Sequence, residues 1–380
     1  MKRLTEFGPL KELGPAGDFG GDYSDPGFSQ AVIGWQKSHG RHALPWQNTR
    51  DAYRIWLSEI MLQQTQVSAV LGYYARFLER FPTLLELAEA PSEEVMAQWS
   101  GLGYYTRARN LHACARRVVA EYGGAFPSDP RLLADLPGIG RSTAAAISAF
   151  SSGTRAAILD GNVKRVFARV FGVEQFPGEK KVEDSLWRRA EALLPEQGIE
   201  SYTQGLMDLG ATLCTRSRPD CARCPLQGRC VAFATHRTAE LPVRKPKKIK
   251  PEKQAAMLVV IDAGEVLLVQ RAPSGIWGGL MSLPELSGHG ACGAVDQDAL
   301  AAAARGFGEV EEVQALLPLV HVFTHYKLHI APYKVALARR AATPIDHGWW
   351  KLADIERAPL PAPVKKLLLE LAAPGLFSYR

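Results

Sequence analysis

No apolar run in this sequence approaches the roughly 18 residues that a membrane-spanning helix needs, which leads us to expect a soluble chain with no membrane partner. Cysteine is scarce, with six in 380 residues. A chain of that length with 47% apolar residues can bury ample cores, so it has no need of a disulfide framework. Neither sign of charge dominates. The net charge of +6 is modest, and scattered Lys and Arg form only a solvated face, so total charge names no partner. There is no solenoid repeat. The first residues, Met1 to Phe28, are Gly-rich, lack an apolar stretch and carry Glu6, Glu12, Asp18, Asp22 and Asp25. They read as a mostly disordered extension rather than a signal peptide or an acid-poor transit peptide.

The few cysteines are unevenly placed. Cys214, Cys221, Cys224 and Cys230 crowd into seventeen residues with gaps of six, two and five, among Arg216, Arg218, Arg223 and Arg229. A compact loop lets all four sulfurs reach one ion or cluster, and the arginines suit phosphate. Structural zinc sites usually pair two close Cys doublets. A single Cys-x2-Cys flanked by lone cysteines favours a [4Fe-4S] cluster over zinc.

Length suggests two or three domains, and the charge distribution shows where they part. Arg244 to Lys253 holds six basic residues and two prolines in ten, a composition that suits neither a helix nor a strand interior. Before it, apolar residues recur at three- and four-residue steps over Ala52–Val67, Val70–Glu79, Glu93–Trp99, Arg107–Tyr122, Ser142–Ser151, Val163–Phe171 and Val182–Leu194. After it, Met257–Ile261, Glu265–Gln270, Leu319–Phe323 and His329–Ala336 read as strands. We therefore expect an extension over 1–28, an α domain over 29–238, a basic linker over 239–253 and a smaller α+β domain over 254–380.

Within the α part, Leu136-Pro137-Gly138-Ile139-Gly140-Arg141-Ser142 is a Gly-bracketed turn between helices. Its bare N–H groups can hold a phosphate oxygen at the start of the second helix, although the same bracket alone fits a helix C-cap. Glu59 sits in the apolar run from Ile55 to Leu62, where partial burial would raise its pKa. Alone it reads more readily as a satisfied core group or an exposed charge than as a catalytic one. Asp160, just before the helix near Val163, reads alone as a cap.

Together these segments carry a resemblance. Trp56 to Val67, Gly101 to Asn110, Ile158 to Arg165, the Gly138–Gly140 hairpin and the Cys loop are similar to the adenine DNA glycosylases of the MutY type, from about residue 29 to the C-terminus. The resemblance implies removal of adenine mispaired with 8-oxoguanine or guanine in duplex DNA. It makes Glu59 the general acid toward adenine N7, Asp160 the carboxylate beneath the sugar cation and Asn162 an orienting residue, which is the two-carboxylate logic of glycoside hydrolysis. Gln64 and Tyr104 become the side chains inserted where the base leaves, with Thr65 and Leu102 around the opposite base. Arg41, Gln47 and Gln204 match the adenine pocket, whereas Trp46 reads equally as core. Lys164 is assigned to a phosphate. Related bifunctional enzymes of the endonuclease III type carry a lysine where this chain has Ser142. A hydroxyl forms no imine, so base removal without strand cleavage is expected.

The last third resembles the MutT-like domain of the same family. Gly279 and Glu285 echo a Nudix box, but the carboxylates that would hold magnesium are missing after Leu286, so the domain is expected to read rather than hydrolyse. The family's Phe-Ser-His loop stands here as Phe323-Thr324-His325. The expectation is thus a mainly α helix-hairpin-helix glycosylase domain with an iron-sulfur cluster loop, followed by an α+β Nudix-like domain, acting as a cytoplasmic monomer. The alternatives are a bifunctional endonuclease III-like glycosylase and lyase, disfavoured by Ser142, a non-catalytic iron-sulfur DNA-binding protein, which has no use for Glu59 with Asp160, and a Nudix hydrolase.

Overall fold

The computed structural model describes residues 25–245, 250–272, 275–286 and 297–372. Residues 1–24 of the expected extension, 246–249 of the expected linker and 287–296, where a Nudix acidic cluster would fall, lie outside the described residues. In chain order the helices are α1 (Pro26–His39), α2 (Ala52–Leu62), α3 (Val67–Arg80), α4 (Leu84–Glu89), α5 (Ser92–Trp99), α6 (Thr106–Tyr122), α7 (Pro130–Ala134), α8 (Arg141–Ser152), α9 (Gly161–Val170), α10 (Lys180–Ala192), α11 (Ile199–Asp208), α12 (Val231–Ala234), α13 (Gln297–Arg305) and α14 (Ala362–Ala372). The strands are β1 (Glu252–Asp262), β2 (Glu265–Gln270), β3 (Met281–Ser282), β4 (Gly308–Ala315), β5 (Leu319–Val322), β6 (Lys327–Arg340) and β7 (His347–Lys351).

These elements group into two compact units, Met1–Gln64 with Arg117–Pro246, and Thr65–Arg116 with Lys247–Arg380. The grouping differs from the division at 239–253 that composition suggests, because the segment from α3 into α6 associates with the C-terminal sheet.

The first unit packs its helices around a core that includes Phe28, Val32, Val163, Phe167, Tyr202, Leu206 and Leu226. Order begins earlier than the expected extension allows. Asp25 caps α1 by accepting from Phe28 N, Pro26 stands at the first turn, and Phe28 is only 1% exposed against the rings of Phe167, Phe171 and Tyr202. Burying that phenyl group contributes about 2 kcal/mol, enough to fix the start of a helix. The helix expected over Ala52–Val67 stops at Leu62, because Gln64 takes a left-handed φ of 56°. The beginning of the expected linker is also docked: Leu241 is buried, and its carbonyl accepts from Arg169 Nε at 2.8 Å.

In the second unit the described residues form a seven-stranded sheet of order β3-β2-β1-β6-β4, with β5 also pairing β6 and β7 pairing β2. The long central pair β1 and β6 is parallel, in register from Glu252 opposite Lys327 to Ile261 opposite Ala336. Ala256, Leu258, Val260, Leu267, Val335 and Leu337 face Leu300 and Ala304 of α13 in one core. Glu252 and Lys253, assigned to the linker by composition, are already strand.

Candidate active site

Glu59 lies in the last turn of α2 beside the buried Ile55, Trp56, Ile60 and Met61. Its side chain is half-buried. Burial first, and the negative charge of Asp160 second, raise its pKa from 4.5 to about 7. A carboxyl so placed holds its proton near neutrality and can give it up during reaction. Asp160 caps α9, its Oδ1 accepting from Val163 N at 2.8 Å. Burial raises its pKa too, but hydrogen bonds from Val163 and Asn162 and the charge of Arg165 pull the other way. Two neighbouring carboxyls in unlike surroundings suit an acid and a resident anion.

Asn162 is oriented from behind. Arg165 Nη2 donates to Asn162 Oδ1 at 2.7 Å and to Gly210 O at 2.5 Å, while its Nε donates to Cys214 O at 2.7 Å. With its oxygen engaged, the Asn162 amide turns its N–H groups toward Asp160. Gly210 lies in a π-helical turn, Leu209–Leu213, that continues α11, and a Cβ there would stand 2.5 Å from Asn162 Cβ. Ser142 is not idle: its Oγ accepts from Leu159 N at 3.0 Å, bracing the residue before Asp160.

The structure joins Arg41 and Gln204 through Asp208, a residue that sequence reasoning missed. This carboxylate is fully buried. Its Oδ1 accepts from Arg41 Nε at 2.7 Å and Gln204 Nε2 at 2.8 Å, and its Oδ2 accepts from Arg41 N at 2.8 Å. The four-residue step from Gln204 to Asp208 on one helix was the available signal. Gln47 is held by its own loop, Oε1 accepting from Leu44 N at 3.0 Å, and its Nε2 is a buried donor with no partner. Trp46 is buried, as a core residue would be.

Gln64 and Tyr104 share a telling backbone. Both are exposed non-glycine residues in the left-handed region, Gln64 at φ 56° and Tyr104 at φ 50° with 47% exposure. Such strain persists only where surroundings impose it. Around Tyr104 the agent is Arg107, another residue the sequence did not single out. It is nearly buried, stacks at 5.3 Å on the rings of both Trp99 and Tyr104, and donates to Gly103 O at 3.3 Å and Thr65 Oγ1 at 3.0 Å. Burial lowers its pKa to about 10, which leaves it cationic at neutral pH. Leu102 is buried at 7% exposure. In the hairpin, Gly138 takes φ 78°, and Gly140 starts α8 with no side-chain cap, so its first amides are left for an outside acceptor. Lys164 pairs with Glu183 at 2.8 Å, so a phosphate would have to compete for it.

Cys214, Cys221, Cys224 and Cys230 are free thiols lining one cavity with Val166, Leu213 and Leu226. Among the described residues no three ligands are gathered as a single metal ion requires. The donor set fits a larger sulfur-ligated group, since four thiols ring apolar walls and a buried cation. Arg169 is 2% exposed and donates from Nη1 to Cys214 Sγ at 3.3 Å and to Thr215 O at 2.7 Å. Burial pushes the Cys224 thiol up to about 11, so ligation would have to displace its proton.

In the sheet unit, Phe323 stacks on Tyr326 with centroids 4.5 Å apart and meets His321 edge-on at 4.5 Å and Trp277 at 5.7 Å. Thr324 and His325 project from the turn between β5 and β6, and Lys250 Nζ donates to Phe323 O at 2.8 Å. Phe323 anchors the turn and its two polar neighbours face solvent. No helix among the described residues is long and apolar enough to cross a membrane.

Comparison with known proteins agrees with this geometry. Residues 57–192 match the HhH-GPD superfamily base excision DNA repair protein model, and residues 256–370 match the NUDIX domain. The chain is 33% identical over 344 residues to the adenine DNA glycosylase of Buchnera aphidicola subsp. Acyrthosiphon pisum, covering 90% of this chain and 96% of that one. It is 31% identical over 399 residues to the human adenine DNA glycosylase, covering 90% and 73%. A solved thermostable thymine-DNA glycosylase superposes with a TM-score of 0.50 at 30% identity, over 55% of this chain and 95% of that one. The expected order of a helix-hairpin-helix glycosylase part and a Nudix-like α+β part is borne out, and on the strength of this likeness along nearly its whole length the chain belongs to the adenine DNA glycosylase family.

Proposed function

We propose that this chain removes adenine mispaired with 8-oxoguanine or guanine from duplex DNA and leaves the strand intact. Protonation of adenine N7 by Glu59 makes the base a leaving group, and the electron pair of the glycosidic bond departs with it. Asp160, whose hydrogen bonds from Val163 and Asn162 favour its anionic form against the cost of burial, faces the positive charge that develops on the sugar. Water then adds to the anomeric carbon and returns a proton to Glu59. Ser142 offers no amine, so no imine forms and the backbone stays whole. Arg41, Gln47 and Gln204 receive the extruded base, Gln64 and Tyr104 fill the space it leaves, and Thr324 with His325 contacts the oxidised partner base. The amides of the Gly138–Gly140 hairpin hold a phosphate.

Cys214, Cys221, Cys224 and Cys230 would hold a [4Fe-4S] cluster, which when bound cross-links the loop that carries Arg216, Arg218, Arg223 and Arg229. The protein works as a monomer in the cytoplasm. The observation that carries the reading is the pair of unlike carboxyls, Glu59 protonated near neutrality and Asp160 capped and hydrogen-bonded. It is tested by adenine release from duplexes with A opposite 8-oxoguanine, guanine or thymine, with and without later alkali. Release from the first two that exposes breaks only after alkali is expected. Efficient nicking at neutral pH would favour the bifunctional alternative.

A further inference from the structure

We propose that Ser100, Tyr105 and Arg109 are positioning residues that mount the Tyr104 loop on the C-terminal sheet domain, so that this domain helps extrude adenine besides reading its partner. The inference rests on the reading of Tyr104 as an inserted side chain. The loop between α5 and α6 is tied down on both sides of Tyr104. Ser100 Oγ donates to Leu360 O at 3.0 Å, and Tyr105 OH donates to the same carbonyl at 3.4 Å while accepting from Gly101 N at 3.2 Å. Beyond them Arg109 donates from Nη1 to Gly278 O at 2.5 Å and from Nη2 to Thr106 Oγ1 at 2.9 Å.

The receiving side is rigid. Leu360 is fully buried just before α14, and the preceding carbonyl, Pro359 O, accepts from Met281 N of β3 at 2.9 Å. Ser100 and Tyr105 are themselves buried, at 6% and 9% exposure, so their hydroxyls have lost water and depend on that carbonyl. Within the loop, Tyr73 OH donates to Ser100 O at 3.0 Å, and Gly101, at φ 98°, leaves no room for a Cβ beside that hydroxyl. A left-handed tyrosine is held by over-determined surroundings, and these bonds come from residues far along the chain. They are among the bonds that join residues 65–116 to 247–380, which group in one unit.

The test uses the full chain with Ser100→Ala, Tyr105→Phe, the double variant and Ser100→Thr, which keeps the hydroxyl. Extrusion is followed by fluorescence of 2-aminopurine placed beside the adenine. Release is followed in single turnover from A opposite guanine and from A opposite an abasic site, where extrusion costs little. The double variant should extrude weakly and release adenine about tenfold more slowly from the paired duplex, as the loss of buried hydrogen bonds implies, yet keep near-parent rates opposite the abasic site. Ser100→Thr should restore extrusion relative to Ser100→Ala. Equal slowing on both substrates, or unchanged extrusion by the double variant, overturns the proposal. Tyr104→Ala serves as a reference: if it extrudes fully, the wedge reading fails and this inference with it, whereas loss in Tyr104→Ala but not in the double variant refutes the mounting alone.

Discussion

Replacing Glu59 with Gln should make the protein more stable while destroying its activity, and the gain should depend on pH in a way the structure specifies. The carboxyl is held at about 7 against an ordinary value of 4.5, by burial and by Asp160. Below the ordinary value, folded and unfolded chains both carry the proton, and the site costs nothing. Between the two values the unfolded chain releases its proton and the folded chain keeps it, so stability falls as pH rises. Above about 7 the whole penalty is present. A gap of this size corresponds to about 3 kcal/mol at most, and partial solvent access reduces it to about 1 to 2 kcal/mol. Glutamine keeps the shape and removes the charge. Urea unfolding at pH 8.5 should therefore show Glu59→Gln about 1 to 2 kcal/mol more stable than the parent, with the difference shrinking to a few tenths at pH 4.5. Adenine release should fall by about 10² or more, and the parent's own rate should decline about tenfold per pH unit above 7. A substitution that shifts stability equally at both pH values would mean that the carboxyl is not held protonated, and the general-acid role would lose its basis.

Four other outcomes are expected. Ser142→Ala, which leaves Leu159 N without its acceptor, should lose about 1 kcal/mol of stability and slow base release, with no strand cleavage before or after the change. Gly210→Ala should slow release by about tenfold or more through Asn162 while duplex binding stays near normal, because the new methyl group must push that side chain aside; unchanged single-turnover rates would contradict the contact. Purified protein should contain about four irons per chain, and Cys224→Ser should lower that figure; one zinc and no iron by elemental analysis would overturn the cluster. Thr324→Ala should narrow the preference for 8-oxoguanine over guanine by about 1 kcal/mol in single-turnover release, and an unchanged ratio would move discrimination elsewhere.

The family was legible before any coordinates, because it is written in short, contiguous motifs. Glu59, Asp160 and the four cysteines stand within segments whose order along the chain is their signature, and the change from helical to alternating periodicity located β1 and β2. What escaped depends on distant partners or on weak patterns. Asp208 and Arg169 look like ordinary helical charges until folding buries them against Arg41 and Cys214. The end of α2 at Leu62 was hidden because Val67 falls on the helical step begun by Ile60, while the left-handed turn at Gln64 carries no glycine to announce it. β4 was invisible because Glu309, Glu311 and Glu312 dilute its alternation on a largely exposed strand. The association of residues 65–116 with the C-terminal sheet includes bonds to main-chain carbonyls at Gly278 and Leu360, which no side-chain pattern can reveal.

The π-helical turn at Leu209–Leu213 bears on how the family can vary in length. Within eleven residues the chain supplies Gln204 and Asp208, then Gly210 against Asn162, then Cys214, all in one continuous winding. Each residue added to or removed from a helix rotates everything beyond it by about 100°. A deletion that restored regular α-helical winding here would swing Cys214 away from its three partners and withdraw the space that Asn162 occupies. Insertions tolerated in the surface loops of this protein should therefore abolish activity in this stretch, and a library of single-residue insertions scored for repair in cells would show a gap from Gln204 to Cys214.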